Sequence, residues 1–587
     1  MSRTTSAEIL GVLSLRKVES VLARQGEVLA LAVLVMAAAG ASFYQSGRLM
    51  PLVDWSWTTE NSYRIARGQR PFIDLGIATA PGAYLVQAML IRLFGVSAYV
   101  QRVYACVGAA LSVVMTVAIL RHLGIDRFLR ILLTVPLVFG VYVVYAYPNY
   151  DNDTMLVVLV GLWCLARTQA RGYAAGHMFV TGMALSLPFF FKQNIGGVIA
   201  VAIVLGLAIL TLSGHGPKWS AWACCAAGCA LPPLGVLCWL SAASGIGGLK
   251  SYWFWTFVNA ARAHPPRLER ILLEYQPDAW LTAIAWAASI LLLTLVRDPR
   301  KSATLVGVLI AVTIAQPVYR YAPVGILLVW APLLLVSTGA ILANVYRRSN
   351  EALLRAVWLV ALVLVMNAAF LSQGIRGSTY GHWPVVSLLV GLLVLTLRDR
   401  RPDVEPVALL WPAILCWTVG LGLYVNSNAR LAYIPAYAGP PVPATHSVLR
   451  GMSTPGPWLP RFEELVAFTD AHIPAGDTVV AIPGEDPFYS TTGRTPQLSL
   501  FQINPETFPY EPRWVVAEAV SRDVRWVILK KRLQTPGAFR PLDAEFFRSL
   551  ERYYEITWES PWYRIMRRRD PADNGRPTST PSGAPTG

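Results

Sequence analysis

Thirteen blocks of apolar residues, separated by polar loops between Val28 and Val425, limit what this chain can fold into more than any other feature. Most are close to the ~20 residues that a helix needs to cross the hydrocarbon core of a bilayer. They run Val28 to Tyr44, Ser97 to Leu120, Leu129 to Tyr147, Thr154 to Ala166, His177 to Phe191, Ile195 to Leu212 and Trp219 to Ala243. After a long loop follow Ala279 to Val296, Ala303 to Val318, Ala322 to Val345, Leu353 to Leu371, Trp383 to Leu397 and Val407 to Val425. Only 14% of the 587 residues are charged, well under the ~25% of soluble domains, so a water-soluble globule is excluded. The expected fold is an all-α polytopic membrane domain of about thirteen transmembrane helices over residues 1–425, followed by a soluble α/β domain.

The formal charge of +16 would suit a nucleic-acid binder, but the basic residues cluster at the ends of apolar blocks. Their alternation follows the positive-inside rule. One set of segments carries Arg16/Lys17/Arg24, Arg121/Arg127/Arg130, Arg167/Arg171, Lys218, Arg297/Arg300/Lys301, Arg347/Arg348/Arg355 and Arg398/Arg400/Arg401, whereas the opposite short loops hold Lys192, Arg320 and Arg376 singly. The N-terminus is therefore expected in a bacterial cytoplasm. Loops 48–96 and 244–278 and everything after Val425 are expected outside the cytoplasmic (inner) membrane. All seven cysteines lie in apolar blocks, so neither a disulfide framework nor a CxxC metal site is expected.

Composition changes after Val425, and residues 426–569 read as a small extracytoplasmic α/β domain. Helical periodicity over Pro460 to His472 leads to a β-rich run, Thr478 to Ile482. A second helix, Pro512 to Ser521, precedes Val524 to Leu529, and Tyr554 to Trp558 and Trp562 to Met566 alternate as closing strands. The Pro/Ser/Thr/Gly tail, 570–587, is expected to be disordered.

Three carboxylates, Asp54, Glu60 and Asp74, follow the first apolar block, with Trp55 and Trp57 suited to a membrane interface. By composition alone this is a solvated loop with an aromatic belt. The loop also contains an Ala66-Arg67-Gly68 turn, a Gly-x-x-Pro-aromatic-x-Asp run from Gly68 to Asp74, a Pro-Gly-x-Tyr run from Pro81 to Tyr84, and Leu93-Phe94-Gly95. In that order these elements resemble the first periplasmic loop of the C-type polytopic glycosyltransferases, the superfamily of protein O-mannosyltransferases, aminoarabinose-lipid transferases and their bacterial relatives. The resemblance implies a general base among the acidic residues just after helix 1 and a polyprenyl-phosphate sugar as donor. Asp54 and Glu60 lie six residues apart where the superfamily commonly has an adjacent acidic pair, so either can be the base.

Further polar residues break the apolar pattern on the outer side. Asp151 and Asp153 fill a tight loop, where they can cap a helix, contact a substrate, or hold a divalent cation, the last being the least favoured. Lys192 between Phe191 and Gln193 can snorkel or bind a lipid phosphate as a point charge. The same choice applies to Arg320, beside Tyr319 and Tyr321, and to Arg376, near His382. The aromatic run Tyr252 to Phe257 suits an interfacial helix over a lipid-entry site.

Acidic residues and isolated cations thus converge on the outer face. Sugar transfer needs both, a carboxylate to take the acceptor's proton and a cation to stabilise the departing phosphate. The expected activity is transfer of a hexosyl or pentosyl unit from a polyprenyl-phosphate donor to an extracytoplasmic glycan, lipid or protein, with inversion and without a cofactor. Asp54 and Glu60 are the candidate catalytic residues, and Asp74, Asp151, Asp153, Lys192, Arg320, Tyr321, Arg376 and His382 the candidate substrate contacts. The alternatives are a flippase or transporter of a lipid-linked substrate, or a polymerase or ligase of lipid-linked glycans. Few ionisable residues lie mid-membrane, where transport pathways place them.

Overall fold

A computed structural model describes residues 6–48, 52–263, 284, 288, 298, 301, 303–311, 325–377, 381–426, 439–500, 502–505 and 507–569. Among them, seven helices are long and apolar enough to cross a membrane: Gln25–Ser46, Ala98–His122, Tyr150–Ala170, Gln193–Leu212, Trp219–Ala242, Asn350–Ala369 and Pro406–Leu423. Gly82–Phe94, Ala175–Phe190 and Leu333–Arg347 are shorter apolar helices. The chain is a multi-pass membrane protein. The expected span Ala279 to Val296 lies almost wholly outside the described residues, as does the tail 570–587.

The helices used below are α1 (Ser6–Ser46), α2 (Leu52–Ala66), α3 (Gly82–Phe94), α4 (Ala98–His122), α5 (Arg127–Thr134), α6 (Tyr150–Ala170), α7 (Ala175–Ser186), α8 (Gln193–Leu212) and α9 (Trp219–Trp253). They continue with α10 (Gly325–Arg347), α11 (Asn350–Gly377), α12 (Trp383–Arg400) and α13 (Pro406–Asn426). The block Leu129 to Tyr147, expected as one span, is broken. After α5 a 3-10 turn, Val135–Phe139, carries Pro136 at its start and ends at Gly140, and Tyr142 adopts φ 59°. Apolar content alone does not register those backbone constraints.

Small residues let helices approach closely, a common solution inside a bilayer. A Cβ on Gly182 of α7 would lie 2.1 Å from the Cys225 carbonyl of α9, and one on Gly228 2.1 Å from the Phe179 carbonyl. At the expected cytoplasmic ends, basic clusters meet carboxylates: Arg130 pairs with Glu27 at 2.6 Å, Arg347 and Arg355 both with Asp399 at 2.6 Å, and Arg398 with Asp126 at 3.0 Å.

Beyond residue 439 the chain forms two two-residue strands, β1 (Val442–Pro443) and β2 (Ser453–Thr454), then helix α14 (Trp458–His472) and strand β3 (Val479–Ile482). Helices α15 (Phe488–Thr492) and α16 (Arg513–Ser521) lead to β4 (Trp526–Lys530), and α17 (Ala544–Glu551) to the hairpin β5 (Tyr554–Glu559) and β6 (Tyr563–Arg568). The sheet order is β3-β4-β6-β5, with β3 and β4 parallel and the other neighbours antiparallel.

The loop 48–96, expected outside, is largely buried, with an exposed turn at 67–74. It folds into α2 and α3 and shares one hydrophobic core with the outer α/β unit. Trp55 and Trp57, expected in an interfacial belt, are buried at 1% and 9% exposure because α2 packs into the apolar cluster that it shares with α3, the start of α4 and that unit. Trp55 Nε1 donates to Gln101 Oε1 of α4 at 2.5 Å, and Trp57 Nε1 donates to the Tyr84 hydroxyl. Arg102 ties the assembly together, donating to the carbonyls of Phe43 at 3.0 Å and Gly451 at 2.8 Å.

Candidate functional site

Asp54 occupies the first turn of α2, where the positive end of the helix dipole favours a carboxylate. It is partly exposed, unlike the six residues that follow it. Its carboxylate acts electrostatically on the buried hydroxyls of Tyr84 and Tyr147, and Asp151 also acts on Tyr84. Tyr84 is fixed by Trp57 and by Thr79, whose hydroxyl lies 2.8 Å from its own. Tyr147 accepts from Asn149 Nδ2 at 3.2 Å.

Lys192 begins α8 and is 4% exposed, so it does not snorkel. Its Nζ lies 2.5 Å from Asp151 Oδ1 and 5.5 Å from the centre of the Tyr150 ring. The loop before it is pressed against α3: a Cβ on Gly82 would lie 2.5 Å from the Phe190 carbonyl. Gln193 donates to the Thr256 carbonyl at 2.7 Å, which joins this loop to the aromatic run Tyr252 to Phe257. Within that run Tyr252 and Trp255 are buried and Trp253 is exposed. Trp255 lies against Gly76, where a Cβ would come within 2.6 Å of its ring.

The first turn of α6 directs Asp151 and Asp153 apart, as residues two apart on a helix must be. Asp151 takes Lys192, while Asp153 Oδ1 accepts from the hydroxyls of Tyr142 and, at 3.1 Å, Tyr104. They do not converge on a shared cation position. Nor do they cap the helix: Asn149 does, accepting from the Asp151 amide at 2.8 Å. His382 is fully buried at the start of α12. The preceding Gly381 lies against the start of α6, where a Cβ would be 3.4 Å from the Asp151 carbonyl. Arg376 belongs to the last turns of α11, and Arg320 and Tyr321 lie outside the described residues.

Asp54, Tyr84, Tyr147, Asp151, Lys192 and the 381–382 turn therefore form one cluster. Glu60 and Asp74 do not join it. Six residues along a helix is about 9 Å of rise and two-thirds of a turn out of phase, so Glu60 faces away from Asp54. It is fully buried, and its Oε1 accepts from the Ser490 amide at 3.0 Å and the Ser490 hydroxyl at 2.6 Å. Arg64, four residues on, donates to the Leu498 carbonyl at 2.8 Å and the Asp74 carbonyl at 3.1 Å. These contacts fasten α2 to the outer unit. Asp74 closes a surface turn, accepting from Arg70 Nε at 3.1 Å, a contact that holds its carboxyl below the usual range.

Burial pushes the Glu60 carboxyl from about 4.5 up to about 7, against the opposing pull of Ser490 and Arg64. Between those values the folded state keeps a proton that the unfolded chain has lost, so stability falls as pH rises through that window. Glu60→Gln keeps an acceptor for Ser490 and removes the titration. Its thermal midpoint should fall less than that of the wild type from about pH 5 to about pH 8. Equal pH slopes in the two proteins would show that Glu60 does not titrate there.

No protein-family profile and no curated protein matches the chain. Among solved structures it is similar to the oligosaccharyltransferase of Archaeoglobus fulgidus in complex with zinc and sulfate, at 12% identity over 91% of this chain and 72% of that one, TM-score 0.48. The apo form of that protein gives 12% identity over 90% and 73%, TM-score 0.49. ArnT from Cupriavidus metallidurans bound to undecaprenyl phosphate gives 13% identity over 94% and 99%, TM-score 0.46. At these scores the likeness identifies neither a substrate nor a catalytic residue.

The cluster's chemistry follows from its own groups. Tyr84 links a partly exposed carboxylate, Asp54, to the buried Asp151–Lys192 ion pair. Tyr147, Asn149 and Arg64 carry no sequence signal for their positions. Tyr84 carries one, its place in the Pro-Gly-x-Tyr run.

Proposed function

We propose that this chain is a membrane glycosyltransferase that moves a sugar from a polyprenyl-phosphate donor to a hydroxyl on an extracytoplasmic acceptor. The observation that carries the reading is the placement of Tyr84 within electrostatic reach of both Asp54 and Asp151, the latter paired with Lys192. The donor phosphate takes over Lys192 from Asp151. Asp54 accepts the proton of the acceptor hydroxyl as its oxygen bonds to the anomeric carbon. The bond from that carbon to the phosphate oxygen breaks with its electron pair moving onto the phosphate, where Lys192 stabilises it. Direct displacement of this kind inverts the anomeric centre.

The placement of basic clusters supports an outward-facing site in a bacterial cytoplasmic membrane, with the N-terminus inside. Nucleotide sugars are cytoplasmic, which favours a lipid-linked donor. The test is photolabelling with a polyprenyl-phosphate sugar bearing a photoreactive group beside the phosphate. Label is expected in residues 145–153 and 189–194. Label confined to the segments carrying Arg121, Arg167 or Arg398 would put the donor on the opposite face and end this reading.

A further inference from the structure

The outer α/β unit contains a cavity of about 560 Å³ that the transfer site does not use. Ligand pockets typically span roughly 300–1,000 Å³, so its size suits a small molecule. It lies where open α/β sheets hold ligands, outside the carboxyl ends of parallel strands: Pro483 directly follows β3, and Leu529 and Lys530 end β4. Backbone hydrogen bonds make its wall rigid, from the Ile503 amide to the Pro483 carbonyl at 2.9 Å and from the Arg540 amide to the Ile503 carbonyl at 3.0 Å.

Eight of the twelve lining residues are apolar, and the other four are Lys or Arg. No carboxylate, amide, Trp or Tyr is among them, which removes the groups that would bind the hydroxyls and faces of a neutral glycan. Three of the four cations are already neutralised. Lys530 pairs with Glu485 and with Asp486 at 2.6 Å, Lys531 with Glu559 at 2.8 Å, and Arg564 with Glu559 at 3.0 Å. Arg540 differs. It forms no ion pair among the described residues, and its buried Nε has no hydrogen-bond partner there. A half-buried guanidinium of this kind beside Phe539 and Leu542 is a fork for one anionic head above an apolar bed.

We propose that this cavity binds an anionic amphiphile, a phosphate or carboxylate head on Arg540 with an apolar chain against Leu529, Leu533, Phe539, Leu542 and Phe547. Its position is suited to such ligands. The segment that follows β3 also meets α2, with the Glu485 carbonyl accepting from Ser56 at 2.7 Å and Ser490 donating to Glu60, so this end of the sheet faces the membrane domain.

The experiment titrates octyl phosphate into the full chain held in nanodiscs of zwitterionic lipid, with empty nanodiscs subtracted. Saturable binding of one octyl phosphate per chain is expected. Inorganic phosphate tests for a simple anion site, and octyl glucoside for a simple apolar one. Both should bind at least about tenfold more weakly. Arg540→Gln should weaken octyl phosphate about tenfold or more, the usual scale for losing a hydrogen bond to a charged group. Arg540→Lys, which keeps the charge, should recover part of that loss with an unchanged thermal midpoint. Equal affinity for inorganic phosphate or for octyl glucoside, undiminished binding by Arg540→Gln, or no saturable binding would each overturn the proposal.

Discussion

Asp54→Asn should lower sugar transfer on the order of 10²- to 10⁴-fold, the range that a positioned general base contributes, while the protein remains folded and still binds donor. The replacement is nearly isosteric. Its structural cost includes the loss of one favourable charge in the first turn of α2, typically about 0.3–1 kcal/mol. The buried bonds from Trp55 to Gln101 and from Trp57 to Tyr84 hold the helix in its seat. Glu60→Gln is the control within the same helix. The Glu60 carboxylate holds Ser490, so the substitution should flatten the pH dependence of stability and leave transfer near normal. If Glu60→Gln lost transfer and Asp54→Asn kept it, the base would be Glu60 and the docking role assigned to it would be wrong.

Lys192→Met should produce two separable losses. With Lys192 gone, the Asp151 carboxylate is left in a buried position without its cation, and breaking such a pair from one side typically costs about 3–5 kcal/mol. Adding Asp151→Asn removes the orphaned charge, and the double variant should recover most of the lost thermal stability. Donor affinity should not return, because no cation remains for the phosphate. Measuring thermal midpoints and donor binding for the two single variants and the double variant decides between roles. A double variant that is stable and binds donor like the wild type would reduce Lys192 to a structural ion pair.

Much of the membrane architecture was legible because apolar length and basic flanks report directly on bilayer crossing. In the α/β unit, β5 and β6 were legible from alternation and β3 and β4 from apolar β-rich runs, whereas the two-residue β1 and β2 were not legible. What could not be read depended on residues distant in sequence. Asp54 appeared as a loop residue because α2 is rich in Ser, Thr and Trp and has no apolar stripe of its own. That helix is fastened by a unit more than 400 residues later, through contacts such as Ser490 to Glu60. Lys192 looked isolated in sequence, and its partner lies 41 residues upstream. For Asp151 and Asp153, spacing suggested a chelating or capping pair. The helix phase separates them, and the tyrosines of α4 and of the 140–149 segment occupy Asp153.

Chemical transfer at the Asp54–Lys192 end of the molecule is read directly from donor turnover by the purified full chain in detergent. A polyprenyl-phosphate sugar labelled in the sugar is supplied with a hydroxyl-bearing envelope acceptor, and free polyprenyl phosphate and labelled acceptor are counted together. One lipid phosphate should be released for each sugar transferred, with the anomeric configuration inverted, although no membrane or gradient is present. An intact donor under all these conditions, while the same protein in sealed liposomes carries the unbroken lipid across the bilayer, would contradict it.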